Sequence, residues 1–78
     1  MSKVYVQARG ESREGQWSAL ISGMTRTEIP QEGDRIGPLF QVGPRSEAQG
    51  FIFEDGRRGW IEFRREHGFT QTCWWLPG

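Results

Sequence analysis

The segment from Phe51 to Phe63 holds two short apolar runs, Phe51-Ile52-Phe53 and Trp60-Ile61-Glu62-Phe63, on either side of Asp55-Gly56. Asp-Gly between β-favouring runs marks a hairpin: the glycine accepts the positive φ of a tight turn, and aromatic and β-branched side chains suit a pleated surface. A lone hairpin is marginal in water, so the rest of the chain has to supply further strands or a helix to cover it. No long helix is expected. No window of eleven residues carries apolar positions at i, i+3, i+4 and i+7, and eleven Gly and four Pro punctuate the chain. A loop of two or four residues, both even, sets Phe51, Phe53, Arg58, Trp60, Glu62 and Arg64 on one face and Ile52, Arg57, Ile61, Phe63 and Arg65 on the other.

Further strands are legible on both sides of this hairpin. Lys3 to Arg9 alternates, with Val4, Val6 and Ala8 on one face, and Trp17 to Met24 returns with Trp17, Ala19 and Ile21 together, so the two read as a hairpin across the polar loop from Gly10 to Gly15. A strand starts near Arg35, with Gly37-Pro38 marking an edge position or a bulge. Gly43 to Gly50 reads as a connection in which Ser46 to Gln49 form one helical turn at most. Phe69 to Leu76 alternates again and supplies the closing strand. The expectation is one mainly β domain over residues 1–78: a small antiparallel meander or barrel-like sheet of five to six short strands, with at most one short helical turn.

Seventy-eight residues leave no room for a second lobe, and the single cysteine, Cys73, excludes an internal disulfide framework and a multi-cysteine zinc site. Aromatics have to make the core: four Trp, five Phe and one Tyr are present, and each removes on the order of 150–250 Å² from water when buried. No apolar run is long enough to span a bilayer, and the first residues lack a secretory hydrophobic region, so a cytoplasmic location with no membrane partner is expected. Ten Lys and Arg balance ten Asp and Glu, six of each sign up to residue 50 and four of each beyond it. That balance argues against a chain built around phosphate neutralisation, which is driven by a basic excess.

Motifs for phosphate cradling, paired-histidine metal binding and a nucleophile elbow are absent from the sequence, and no cofactor or metal is expected. Cys73 with His67 is the one arrangement for nucleophilic catalysis, set against a buried, inert thiol and a loop imidazole; Cys73 on an edge strand would instead be placed to form an intermolecular disulfide. Glu54, Asp55, Glu62 and Glu66 each stand beside an Arg, which suits solvated ion pairs better than general acid and base work. The most suggestive constellation is Arg57, Arg58, Arg64 and Arg65 with Trp60, Phe63, Trp74 and Trp75, because Arg and Trp are the side chains most enriched at binding hot spots. Core packing is the competing role for each of these aromatics. Trp74 and Trp75 are adjacent on a strand, so they face opposite ways and one of them needs cover from outside the core.

Two classes of function follow. In one, the domain is a non-enzymatic module that presents the Trp60 side of the hairpin to a larger protein or protein complex, with Arg58, Trp60, Arg64, Arg57, Arg65 and one of Trp74 or Trp75 in the contact. In the other, a small barrel uses the same arginines on phosphates and Trp60 or Trp74 on unpaired bases. A Cys/His enzyme is a third and weaker reading. In size and general character, with no catalytic motif or targeting signal, the chain resembles the small proteins of phages and mobile elements, including inhibitors of the anti-CRISPR type. That resemblance implies an inhibitor that occludes a surface of a larger host complex. A monomer is the expected state, with a homodimer as the alternative.

Overall fold

Three successive hairpins run from Gly33 to Leu76, and they account for most of the molecule. The computed structural model describes residues 12–78. Within them lie one short helix, α1 (Trp17–Leu20), and five antiparallel strands: β1 (Thr25–Thr27), β2 (Gly33–Gly43), β3 (Ser46–Phe53), β4 (Arg58–Glu66) and β5 (Phe69–Leu76). They form one sheet in the order β1-β5-β4-β3-β2, a mainly β fold that is not closed into a barrel. Among the described residues no helix is long and apolar enough to cross a membrane.

The β3–β4 hairpin stands where Asp55-Gly56 predicts it, but its loop has an odd number of residues. Phe53 N–H donates to the Arg57 carbonyl at 2.8 Å and Gly56 N–H to the Phe53 carbonyl at 2.8 Å, leaving Glu54, Asp55 and Gly56 between the strands. Gly56 takes a φ of 91°, the left-handed position that closes a three-residue loop. One residue more or less in a turn transfers every following side chain to the other face. The expected partition is therefore overturned: Phe51 pairs with Gly59 and shares a face with Phe53, Ile61 and Phe63, while Ile52 pairs with Arg58 on the face of Trp60, Glu62 and Arg64.

Both faces of the sheet carry buried apolar residues. On one, Phe51, Phe53 and Ile61 form a cluster with Phe63, Trp74 and Leu76 packed against it. On the other, Phe40, Val42 and Ala48 are buried, with Trp17 of α1 packed on them. Gly59 permits the first cluster: a Cβ there would strike the Trp75 carbonyl and lie 2.8 Å from Cε2 of Phe53. A side chain in that place would push the Phe53 ring out of the core.

Two other expectations change. Trp17 to Met24 is not a strand; Leu20 and Ile21 donate to the Gln16 and Trp17 carbonyls, each at 3.0 Å, and the chain turns until β1 begins at Thr25. A single helical turn packs the Trp17 ring against the sheet, which outweighs the weak alternation of Trp17, Ala19 and Ile21. Its expected hairpin partner, Lys3 to Arg9, lies outside the described residues. Ser46 to Gln49 is not a connection or a helical turn but the start of β3, paired on both sides. Ala48 is fully buried between Phe40 and Glu62, so a small side chain does there what a larger apolar one usually does. The predicted irregularity at Gly37-Pro38 is present, as a register shift between Ile36 and Phe40 on edge strand β2.

Candidate functional site

Register across four strand pairs lines up Arg26, Trp75, Trp60, Gly50 and Ile36 in one row on the same face. Trp60 and Trp75 are direct cross-strand neighbours, and Trp17 meets both edge-on, with ring centroids at 5.9 and 6.2 Å and interplanar angles of 75° and 88°. Edge-to-face contact of this kind adds to simple burial because the positive ring edge meets the negative ring face. All three rings keep part of their surface open. Arg58 sits one alternate position before Trp60 on β4, exposed, and Arg26 flanks Trp75 on β1.

The next row is Cys73, Glu62, Ala48 and Phe40. Glu62 is 2 % exposed, a carboxylate inside the sheet. Both of its oxygens are used: Oε1 accepts from Trp75 Nε1 at 2.9 Å and Oε2 from Arg64 Nε at 3.1 Å. A buried charge is tolerable only when paired and hydrogen-bonded in this way. Burial alone would lower the Arg64 guanidinium, but the hydrogen bond and charge of Glu62 prevail and hold it above its ordinary value. The Cys73 thiol, opposite Glu62 and fully buried, is pushed up by desolvation first and by the Glu62 charge second.

The residues expected to form a contact are divided by this geometry. Arg58, Trp60, Arg64 and Trp75 come together on the Trp60 face. Arg65 is on the opposite face, paired with Glu47 at 3.0 Å, and Trp74 packs into the Phe51 cluster with its indole nitrogen buried and unpartnered. Arg57 belongs to the turn: it bonds Asp55 Oδ2 at 2.8 Å and the Pro77 carbonyl at 3.1 Å, tying the C-terminal residues to the hairpin. Among the four hairpin arginines, Arg58 is the one whose side chain makes no hydrogen bond or ion pair to the described residues. His67 is exposed in the β4–β5 turn, whereas Cys73 lies four residues along β5 from Phe69, roughly 13 Å up the strand, so the two do not form a pair.

Two members of the site, Trp17 and Arg26, were not expected from the sequence, and a third, Glu62, was expected on this face but as a solvated acid. Glu62 is an internal acid rather than a solvated one, because the β4–β5 register brings an indole N–H to one oxygen while Arg64 holds the other. Trp17 and Arg26 arrive from α1 and β1, which only the tertiary fold carries to this face. A small cleft of about 140 Å³ opens elsewhere, between Gln31, Glu32, Glu54 and Arg57 at the β3–β4 turn, and its arginine is already committed to Asp55 and Pro77. No protein-family model, no curated protein and no solved structure matches this chain.

Proposed function

We propose that this chain is a non-enzymatic protein-binding module whose contact surface is the Trp60 face of the sheet, acting as an inhibitor that covers a surface of a larger complex. The observation that carries the reading is the row Arg26, Trp75, Trp60 with Arg58 beside it: partly open indoles at the centre and guanidinium groups at the rim. This is the arrangement of an interface hot spot, an aromatic anchor ringed by polar groups that exclude water. Glu62 fixes the Trp75 indole through its N–H, and Trp17 braces both rings, so little side-chain freedom is lost on contact. Ten charges of each sign favour a protein over a polyphosphate as the partner.

The test begins with capture of partners from lysate on the immobilised chain. Affinity for each is then measured with Trp60→Ala, with Arg58→Ala plus Arg26→Ala, and with Arg65→Ala on the opposite face as the control. Loss of roughly thirtyfold in the first, with the fold retained by circular dichroism, supports the surface. A folded Trp60→Ala variant and a folded Arg58→Ala plus Arg26→Ala variant that bind as tightly as the parent would dismiss it. A steep fall of affinity with salt would replace the protein partner by a nucleic acid.

A further inference from the structure

Among the described residues the outer edge of β5 is only partly covered. Phe53 N–H donates to Arg57, and Arg65 N–H donates to Arg45, so the odd-numbered residues of β4 exchange backbone bonds with β3 and the even-numbered ones with β5. Glu66 faces Phe69, Arg64 faces Gln71 and Glu62 faces Cys73, which turns the backbones of those β5 residues inward. Thr70 and Thr72 therefore direct their N–H and C=O groups away from β4. The next outward positions, Trp74 and Leu76, are taken by Thr27 and Thr25. There β1 ends. Among the described residues no strand lies alongside Phe69 to Cys73.

Edge strands are usually guarded by a charge, a proline, a bulge or a covering segment. Phe69 to Cys73 is Phe-Thr-Gln-Thr-Cys, with none of the first two and in regular register with β4 throughout. It carries β-favouring residues, and Phe69 is one of two large apolar side chains left exposed among the described residues, at 61 %. Ser12, where the described chain begins, is bridged to Gln41 on β2, at the far edge of the sheet.

We infer that this edge binds the same edge of a second copy of the chain, antiparallel, across Thr70 to Thr72. The segment is self-complementary about Gln71. With Gln71 on the two-fold axis, Thr70 of one copy faces Thr72 of the other, and the two outward residues of each chain exchange four backbone hydrogen bonds. The absence of charge on Phe69 to Cys73 removes the repulsion that two like edges otherwise meet, and the exposed Phe69 ring gains cover beside the partner strand. Cys73 faces the partner's Phe69 in this register and not the partner's Cys73, so no disulfide joins the copies. A contact confined to one short edge is small, and the dimer forms roughly in the micromolar to millimolar range. The Trp60 face stays open in it, so this association stands or falls separately from the binding function.

The experiment is sedimentation of the full chain over that range with three variants. The wild type is expected to move towards twice the single-chain mass as concentration rises, and the amide protons of Thr70 and Thr72 to exchange more slowly as it does so. Gln71→Lys and Gln71→Glu each set like charges across the axis and are expected to weaken association at least roughly fivefold alone, and to restore it when mixed. Thr72→Pro removes an outward N–H without touching a β4 bond and is expected to stay folded as a monomer. A wild type at single-chain mass throughout would overturn the inference, whether Thr70 and Thr72 exchange freely or are protected by the chain's own N-terminal residues. So would a dimer that the separate Gln71 variants leave intact.

Discussion

Trp75 Nε1 reaches across from β5 to donate to Glu62 Oε1 on β4 at 2.9 Å, while Arg64 Nε takes the other oxygen at 3.1 Å. The acid is thereby a joint between the aromatic row and the sheet that carries it. Glu62→Ala is expected to lower unfolding free energy by about 3 kcal/mol, since it leaves an indole N–H and a partly buried guanidinium without their acceptor. Glu62→Gln keeps an oxygen for Trp75 but turns an amide N–H towards Arg64 or gives up that contact, and is expected to lose about half as much. Urea unfolding of the two variants measures the difference; equal and small losses would show that the carboxylate is not needed inside the sheet.

Two glycines in one hairpin should respond differently to the same change. Gly59→Ala puts a Cβ into the Trp75 carbonyl and the Phe53 ring, both in packed surroundings, and is expected to cost about 3 kcal/mol or to prevent folding. Gly56→Ala meets nothing within 4 Å and is strained only by its φ of 91°, so about 1 kcal/mol is expected. Thermal melts of both variants give the order, and a Gly56→Ala loss as large as that of Gly59→Ala would contradict the packing described at Gly59.

Cys73 is expected to be inert while the chain is folded. Its thiol is fully buried and its pKa is raised, so the neutral form is the one the fold favours. The sign follows: the contribution is complete below the ordinary thiol pKa and is lost as pH rises through the higher folded value. Stability should therefore fall at alkaline pH more steeply in the parent than in Cys73→Ala. Reaction with an aromatic disulfide reagent at pH 8 should proceed at the rate of unfolding, and non-reducing electrophoresis of protein kept folded in air should show a single-chain band. A thiol that reacts at once in the native state would place Cys73 at the surface.

Trp17 is the brace of the aromatic row, held by a helix of only four residues. Trp17→Ala is expected to cost about 2–3 kcal/mol, somewhat less than a fully buried Trp because its ring is part open. Near-ultraviolet circular dichroism should lose the signal of the coupled indoles while the strand signal in the far ultraviolet persists. Unchanged near-ultraviolet ellipticity would mean that the three rings do not pack as described.

The class of fold was legible because it rests on period-two alternation and on glycine at turns, both local properties of the chain. What the sequence did not disclose was a count. Asp55-Gly56 announces a turn, but loops of two, three and four residues share that signature, and the three-residue loop moves Trp60 away from Phe51 to the face of Ile52. The same limit hides Glu62: an acid beside Arg64 looks solvated until the register of β5 sets Trp75 within hydrogen-bond reach of it. Of the candidate site, Arg58, Trp60, Arg64 and Trp75 were found together because they follow β4 and its neighbour at alternate positions. Arg57, Arg65 and Trp74 fell elsewhere, since turn geometry and opposite pleats separate residues that are adjacent in sequence.

The position of β1 on the Trp74–Leu76 end of β5, at one edge of the sheet among the described residues, has a kinetic meaning. β2 to β5 are joined by short turns, so each can find its neighbour soon after the chain begins to collapse, whereas Thr25 must meet Leu76 across most of the described chain. Closing so long a loop carries an entropic penalty that three residues of pairing only narrowly recover. β1 is therefore expected to be the last strand to join the sheet and the first to leave it. Each departure is expected to bare the outward backbone groups of Trp74 and Leu76 beside those of Thr70 and Thr72, so that among the described residues no strand then pairs with the outer edge of β5.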